Sequence, residues 1–484
     1  MTTKTNSYDH LSFRTDLYLG GEWISRGEKI VVINPWDGQE FVAVSSASKE
    51  DFLTAIESAR AAFAFTKVLP SYKREAACLQ IAAGIEGQID RFAETMTREL
   101  GKAIKDSRTE VLRAIAIFRT AAEESKRIGG ELIDLDWMAG HENRFGIARR
   151  FPRGVIAGIS PFNFPLMLVA HKIAPAIASG NCMVLKPASK TPLSALLLAE
   201  LIDDCDYPKG AISILPASSD NALPLIEDER IKLITFTGSS DVGWWIEGQA
   251  RRKPVVLELG GNAGVIVADD ADIEYAAGRI VTGAYGVAGQ SCISVQRLFV
   301  HEKVQEALVS RITERIAKLK IGDPMDPTTD IGTMVDMNAA SKAKTAVDSA
   351  VQQGAIVLLG GNIAGKTLQP TLLGTVTPSM EVCRSEMFAP IATVETYTNI
   401  HNAVARLNAS RYGLQAGLFT NRMSDIWYAY SAIECGGVVI NDIPTYRADH
   451  QPYGGMKESG MGREGVRYAI EDMTEVKFLS INNR

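Results

Sequence analysis

Apolar and polar positions change rhythm several times along the chain, and each change marks a different kind of element. Residues 17–45 form short apolar runs broken by turn clusters such as Asn34-Pro35-Trp36-Asp37-Gly38, which predicts short strands. From 48 to 128, apolar residues recur at helical spacing among Ala, Glu and Arg, which predicts several amphipathic helices ended by Gly129-Gly130. Residues 131–153 alternate in part and read as extended strands leaving the main body. Gly154 opens a more regular pattern. Apolar runs at 155–159, 182–185, 212–215 and 233–236 are separated by helix-like segments at 167–178, 194–203 and 222–227. Strand, helix, strand at this spacing means βαβ units, a parallel sheet, and a ligand at the carboxyl ends of the strands. A second α/β pattern follows from about 260 to 441, with a helix at 304–319 and a strand at 356–359. The tail at 474–481 is strand-like and suited to pair with the strands of 131–153.

Composition narrows the class. A chain of 484 residues exceeds one hydrophobic core, so two or three domains are expected. An apolar fraction of 46% and a charged fraction of 22% fit a soluble globular protein. The net charge of −6, with no long basic run, argues against nucleic acid as a partner. Six cysteines lie far apart, without a CxxC pair or a Cys/His cluster, so neither a disulfide framework nor a metal site is expected. Residues 1–13 are polar and lack the apolar core of a signal peptide. The most apolar stretch, 162–177, contains His171 and Lys172 and is too short to span a bilayer. The expectation is a cytoplasmic protein with no membrane partner, in a reducing setting that keeps thiols free.

Candidate chemistry begins at Gly289-Gln290-Ser291-Cys292, where a helix-like run at 276–287 breaks before a strand-like run at 297–301. Small neighbours leave the sulfur approachable, as a thiolate nucleophile requires, although a buried structural cysteine is the commoner use of the residue. Glu258 stands between Leu257 and Leu259 after Val255-Val256. A carboxyl in such a setting has a raised pKa and could act as a general base; an exposed edge-strand glutamate is the ordinary alternative. Asn163 is held between aromatics and prolines in Pro161-Phe162-Asn163-Phe164-Pro165, at the end of the first βαβ strand. Its amide suits an oxyanion donor, or the segment is simply a rigid turn. Lys186 ends the next strand and could meet a ribose or phosphate, or solvent. Thr237-Gly238-Ser239-Ser240-Asp241-Val242-Gly243 follows the strand at 233–236 and opens a helix. Gly238 and Gly243 would let the backbone approach a pyrophosphate there. Glu386 and Phe388 could hold a ribose and flank a flat ring, or Phe388 could be core. The one GxGxxG match, at 460–465, follows a polar stretch instead of a buried strand and is set aside.

Taken in order, these segments resemble the aldehyde dehydrogenase superfamily, in its hydrolytic NAD(P)-dependent branch. The likeness runs from Asn34-Pro35 to Glu475-Val476-Lys477 and includes Glu258-Leu259-Gly260-Gly261 and Pro452-Tyr453-Gly454-Gly455-Met456-Lys457-Glu458-Ser459-Gly460. It implies an α/β fold with a Rossmann-like cofactor domain at 1–130 and 151–258 and a second α/β catalytic domain at 259–445. A small β oligomerisation domain at 131–150 and 468–484 would build a homodimer or homotetramer. The resemblance makes Cys292 the nucleophile toward an aldehyde, with the oxyanion held by Asn163 and the Cys292 backbone N–H. It makes Glu258 the base that activates water on the resulting thioester, with Lys172 and Glu464 relaying protons. It places Ser160, Phe162, Lys186, Ser189, Gly238, Ser239, Gly243, Leu259, Glu386 and Phe388 along the cofactor.

This chain departs from the family pattern at two places. Ser189-Lys190 stands where NAD-preferring relatives often have glutamate three residues after the lysine, which tilts the expectation toward NADP. Ala217-Ser218-Ser219 stands where many relatives have glycines. Arg113 and Arg447 fall near the family's substrate tunnel, whereas Ser291 and Phe164 lack the polar groups that accompany phosphorylated substrates. The expected substrate is a small semialdehyde or hydroxyaldehyde, of succinate-semialdehyde or lactaldehyde type. The ordinary alternatives are a surface Arg113 and an Arg447 paired with Asp449. Other classes fit less well. CoA-acylating relatives generally lack a base at the Glu258 position, and none of the six histidines sits in a thiol-hydrolase motif. A non-catalytic scaffold has no need of Cys292, Glu258 and Asn163 together.

Overall fold

The computed structural model describes residues 11–483. Of the segment 1–13 discussed above, residues 1–10 lie outside the described part, as does Arg484. Two large sheets and a three-stranded one organise the rest, with three two-stranded ribbons beside them. The first is eight-stranded, in the order Glu22–Ile24, Leu17–Leu19, Ile212–Ile214, Cys182–Lys186, Val155–Ile159, Ile231–Thr237, Val255–Glu258 and Gly460–Met461. The strands from Ile212–Ile214 to Val255–Glu258 run parallel. The chain enters this parallel part at Val155–Ile159 and steps outward through Cys182–Lys186 to Ile212–Ile214. It then crosses back and continues on the other side with Ile231–Thr237. A topological switch point therefore lies between Val155–Ile159 and Ile231–Thr237, the place where open α/β sheets bind ligands.

The second sheet is seven-stranded, in the order Ile356–Leu359, Thr371–Gly374, Ile391–Tyr397, Val295–His301, Ala263–Val267, Gln415–Phe419 and Gly437–Ile440. Only residues 259–262 separate the last residue of Val255–Glu258 from the first of Ala263–Val267. The carboxyl end of the first sheet thus abuts the amino end of the second. That junction is where Glu258 and the loop before Val295–His301, which carries Cys292, come together.

The helix Met167–Ser179 shows why the core forms there. All of its residues are buried, and it packs against Ile104–Glu124. Burying each large aliphatic side chain contributes about 1.5–3 kcal/mol. The expected hairpin and tail also meet: Thr474–Asn482 pairs antiparallel with Arg144–Pro152, which pairs with Gly130–Asp134.

Several sequence expectations are adjusted. Gly129-Gly130 does not end the helices: Ile104–Glu124 stops earlier, and Gly130 opens a strand pressed against the Ala148 carbonyl, where a Cβ would collide. The helix expected at 222–227 splits into a tight turn, Asp220–Ala222, and a short helix begun by Pro224, which lacks an N–H donor. The helix expected at 276–287 runs over Ile273–Tyr285, and that at 304–319 over Gln305–Ile316. The set-aside glycine motif forms an edge strand, Gly460–Met461, antiparallel to Val255–Glu258, not a turn leaving a buried strand. Among the described residues no helix is long and apolar enough to cross a membrane, and no metal-holding cluster is present.

Candidate active site

Backbone geometry sets the position of Cys292. After Ile273–Tyr285 the chain turns through Val287, Ala288 and Gly289, all at positive φ. Gly289 sits against the Ala389 backbone, with no room for a side chain. The turn delivers Gln290, whose Oε1 accepts from Val335 N at 2.9 Å and whose carbonyl accepts from Asn163 Nδ2 at 2.9 Å. The oxyanion-donor candidate and the cysteine loop are thus joined directly. From the other side the link at 259–262 passes just as closely: a Cβ on Gly260 would strike the Glu386 carboxyl, and one on Gly261 the Cys292 carbonyl.

A buried ion pair braces Asn163. Lys102 and Glu110 bond to each other, and Lys102 Nζ also donates to the Asn163 carbonyl at 3.2 Å. Glu110 accepts from the N–H groups of Leu166 and Met167, both at 2.9 Å, at the start of Met167–Ser179. Removing one partner of such a pair costs about 3–5 kcal/mol.

Cys292 Sγ lies 3.2 Å from the Tyr453 hydroxyl. Burial pushes this thiol up to about 12, and the Tyr453 contact acts in the opposite direction. Glu258 ends its strand with both carboxylate oxygens buried and without a hydrogen-bond partner. Burial first and the neighbouring Glu464 second push it well above the usual carboxylate range. Lys172, also buried, donates to Thr235 Oγ1 at 3.1 Å and Thr237 Oγ1 at 2.7 Å, and stands 3.9 Å from Glu464. Burial pushes its ammonium down. Burial also opposes ionisation of Glu464, but Arg447 foremost, then His171 and Lys172, hold that carboxyl down as a carboxylate. Two neighbouring carboxyls whose pKa values are pushed apart in this way can serve as a proton acceptor and a fixed like charge that raises its proton affinity.

Arg447 is buried; it donates to Glu464 Oε2 at 2.8 Å and lies 3.8 Å from the Tyr453 ring centre. Its main partner is therefore Glu464; Asp449, the partner in the ordinary alternative, has its carboxylate 4.0 Å away. Arg113 is not an unpaired surface residue: it grips Asp449 in a fork, at 3.1 and 2.6 Å. His171 completes the group, with Nε2 at 3.2 Å from Asp449 and 3.0 Å from Arg447. His171 and Tyr453 had no assigned role in the sequence, and Asp449 stood there only as an ordinary partner for Arg447. The available signals were the place of His171 beside Lys172 and that of Tyr453 within the Pro452–Gly460 segment.

The cofactor candidates divide. Ser160 and Ser240, at the carboxyl ends of the two strands flanking the switch point, have buried hydroxyls with no partner. Ser239 caps the helix Ser240–Gln249 without a side-chain bond of its own. These groups fit a dinucleotide phosphate at a helix amino end. The Gly238 N–H donates to the Glu258 carbonyl at 3.1 Å, and the space a Gly243 side chain would need is filled by Leu259. Leu259 N itself donates to the Ser459 carbonyl at 3.0 Å. Burial brings Lys186 down to about 8. Ser189 donates to the Ala217 carbonyl at 2.8 Å, and Lys190 pairs with Asp336, so any 2′-phosphate must compete for that lysine. Glu386 accepts from Gly261 N at 3.1 Å and is raised to about 7 by burial. Phe388, at positive φ, stacks edge-on against Phe162 with ring centres 5.8 Å apart.

The chain is similar to known proteins along nearly its whole length. Residues 23–479 match the profile of the aldehyde dehydrogenase family. The chain is 42% identical over 467 residues to a 3-sulfolactaldehyde dehydrogenase of Priestia megaterium, covering 96% of this chain and 98% of that one. The crystal structure of aldehyde dehydrogenase 21 from Physcomitrella patens, in complex with the reaction product succinate, superposes with a TM-score of 0.95 at 42% identity, over 97% of this chain and 98% of that one. A glyceraldehyde-3-phosphate dehydrogenase of Methanocaldococcus jannaschii complexed with NADP superposes at 0.91 with 35% identity, over 95% and 100%. With a family profile spanning nearly its whole length and this fold, the chain belongs to the aldehyde dehydrogenase family.

Proposed function

We propose that the chain oxidises a small hydroxyaldehyde or semialdehyde, bearing at most one negative charge, to its carboxylic acid with NAD(P), NADP favoured. The observation that carries this is the meeting of Cys292, Asn163 and Glu258 at the junction of the two sheets, beside Arg113 and Arg447. In this reading the Cys292 thiolate attacks the aldehyde carbon, and the oxyanion accepts from Asn163 Nδ2 and the Cys292 N–H. Ser160, Ser239, Ser240, Lys186, Glu386 and Phe388 would hold a nicotinamide cofactor, which would supply the hydride acceptor needed to turn the Cys292 adduct into a thioester. Glu258 then takes a proton from water, whose oxygen attacks the thioester and releases the acid and the thiolate. Glu464, with Lys172, passes the proton outward.

Arg113 and Arg447 support the substrate class, because Asp449 and Glu464 already take part of each guanidinium and the N–H groups left over could meet at most a single carboxylate or sulfonate, not a dianion. A relative acting on 3-sulfolactaldehyde and one crystallised with succinate fit the same class. Since Arg447 also holds Glu464, its loss should harm every substrate. Arg113→Ala is the sharper probe: it should raise KM for succinate semialdehyde at least about tenfold, the loss of one charge-assisted contact. KM for a neutral aldehyde of equal length should stay nearly unchanged. Equal effects on both aldehydes would remove Arg113 from the substrate's path.

NADP is favoured because Ser189 leaves no carboxylate to repel a 2′-phosphate. The expected kcat/KM for NADP at least equals that for NAD, and Ser189→Glu should turn the preference toward NAD. A strong wild-type preference for NAD would refute this. The same assay with and without CoA separates hydrolysis from acyl transfer to CoA: the proposal requires free acid as the product in both.

A homodimer or homotetramer is the proposed assembly. The small sheet carries exposed apolar residues, among them Leu132, Phe151, Val476, Phe478 and Leu479, which is the kind of surface that oligomers cover. Residues 131–150 and 468–484 form the proposed contact, with 1–130 and 151–258 serving the cofactor and 259–445 the chemistry.

A further inference from the structure

Tyr453 has no part in the mechanism above, yet its hydroxyl is the group hydrogen-bonded to the sulfur, at 3.2 Å. Its position is fixed in three ways. The backbone is clamped by reciprocal bonds with Glu464, Tyr453 N to Glu464 O at 3.0 Å and Glu464 N to Tyr453 O at 2.6 Å. The ring is buried and packs with Ile293 and Leu414, with Cys292 against the same cluster. The Arg447 guanidinium lies over its face, 3.8 Å from the ring centre.

We propose that the Tyr453 hydroxyl is a catalytic donor: it gives its hydrogen to the Cys292 thiolate, stabilising the ionised sulfur and fixing its direction, with Arg447 polarising the phenol from above. This rests on the assignment of Cys292 as nucleophile. In the resting contact either group can donate. When the sulfur loses its proton to water it can only accept, and the contact becomes O–H···S⁻, a charge-assisted bond roughly twice as strong as a neutral one. A cation over the ring draws electron density from the oxygen and makes it a better donor.

The sulfur has few other helpers. The charged groups facing it are Glu386, Arg447 and Glu258, on three separate segments. The two carboxyls oppose a thiolate, and Arg447, which favours it, is shared with Glu464. Burial opposes ionisation as well. A fixed neutral donor in contact with the sulfur is what remains to favour the thiolate before substrate arrives.

The test is the pH dependence of Cys292 alkylation by iodoacetamide, followed by peptide mapping on the full-length protein, for wild type and Tyr453→Phe. The substitution keeps the ring, its apolar packing and the cation above it, and removes one hydroxyl. The profile should move to higher pH by at least about one unit, so that alkylation near neutrality slows about tenfold. The plateau rate at high pH, the Tm and the Kd for NADP should stay in place, as they would not if Tyr453 were only structural. An unmoved profile overturns the proposal. So does a shift to lower pH, the result expected if the phenol only accepts from the thiol. Failure of the nucleophile assignment shows separately, as turnover that survives in Cys292→Ala.

Discussion

Cys292→Ala should abolish aldehyde oxidation, lowering kcat/KM by about four orders of magnitude or more, while leaving cofactor binding intact. The size of the effect follows from the chemistry. Without sulfur there is no covalent adduct, so Asn163 and Glu258 are left with no thiohemiacetal or thioester to act on. No substitute thiol stands by: Cys78, Cys182, Cys205 and Cys383 are buried, and Cys435 is held in the apolar cluster around Phe299 and Leu418. The proposed cofactor groups Ser160, Lys186, Ser239 and Ser240 belong to the first sheet and its connections, so a methyl group at 292 should not disturb them. Stopped-flow absorbance of the reduced nicotinamide measures the first part and fluorescence titration the second. Turnover within about tenfold of wild type would place the nucleophile elsewhere.

Glu258→Gln should separate the two halves of the reaction. Steady-state turnover should fall by about 10²–10⁴-fold, the usual contribution of a positioned base, while the first hydride transfer proceeds. A burst of reduced cofactor, stoichiometric with sites, should then precede a slow phase. The pH dependence has a definite sign. A base works as its carboxylate, and burial with Glu464 nearby raises the Glu258 pKa. Wild-type thioester hydrolysis should therefore speed up as pH rises through that raised value and level off once the carboxylate forms. The variant should lack this limb. Equal steady-state rates in variant and wild type would contradict the assignment.

How far the sequence carried these conclusions depends on whether the signal was local. The βαβ rhythm after Gly154 is local, because period and turn residues are set within a few positions, and the strands appear where the apolar runs lie. The break at Cys292 is local too: Gly289 marks a backbone turn that leaves no space for a Cβ. The order of the strands is not local, and the crossing back at Ile231–Thr237 that creates the switch point could not be seen in any one segment.

The charged group shows the same limit more sharply. Met167–Ser179 is buried on every side, so no polar stripe reveals that Lys172 faces Thr237 or that His171 faces Asp449. Asp449, two residues away, was the ordinary alternative partner for Arg447; the fold brings Glu464 closer and gives Asp449 to Arg113, 336 residues distant in sequence. Lys190 looked free for a phosphate until Asp336 came beside it. Gly243 looked like a cofactor glycine, yet its missing side chain makes room for Leu259. Residue types with a single good use were legible; choices among charged partners belong to tertiary structure.

The central claim is a thioester on Cys292, and the most direct test is intact and peptide mass spectrometry of Glu258→Gln quenched in acid shortly after mixing with succinate semialdehyde and NADP. The account predicts one acyl group per chain, mapped to Cys292, appearing together with the burst of reduced cofactor and absent when NADP is omitted. Reduced cofactor formed without an adduct, or an adduct on any other residue, would contradict it.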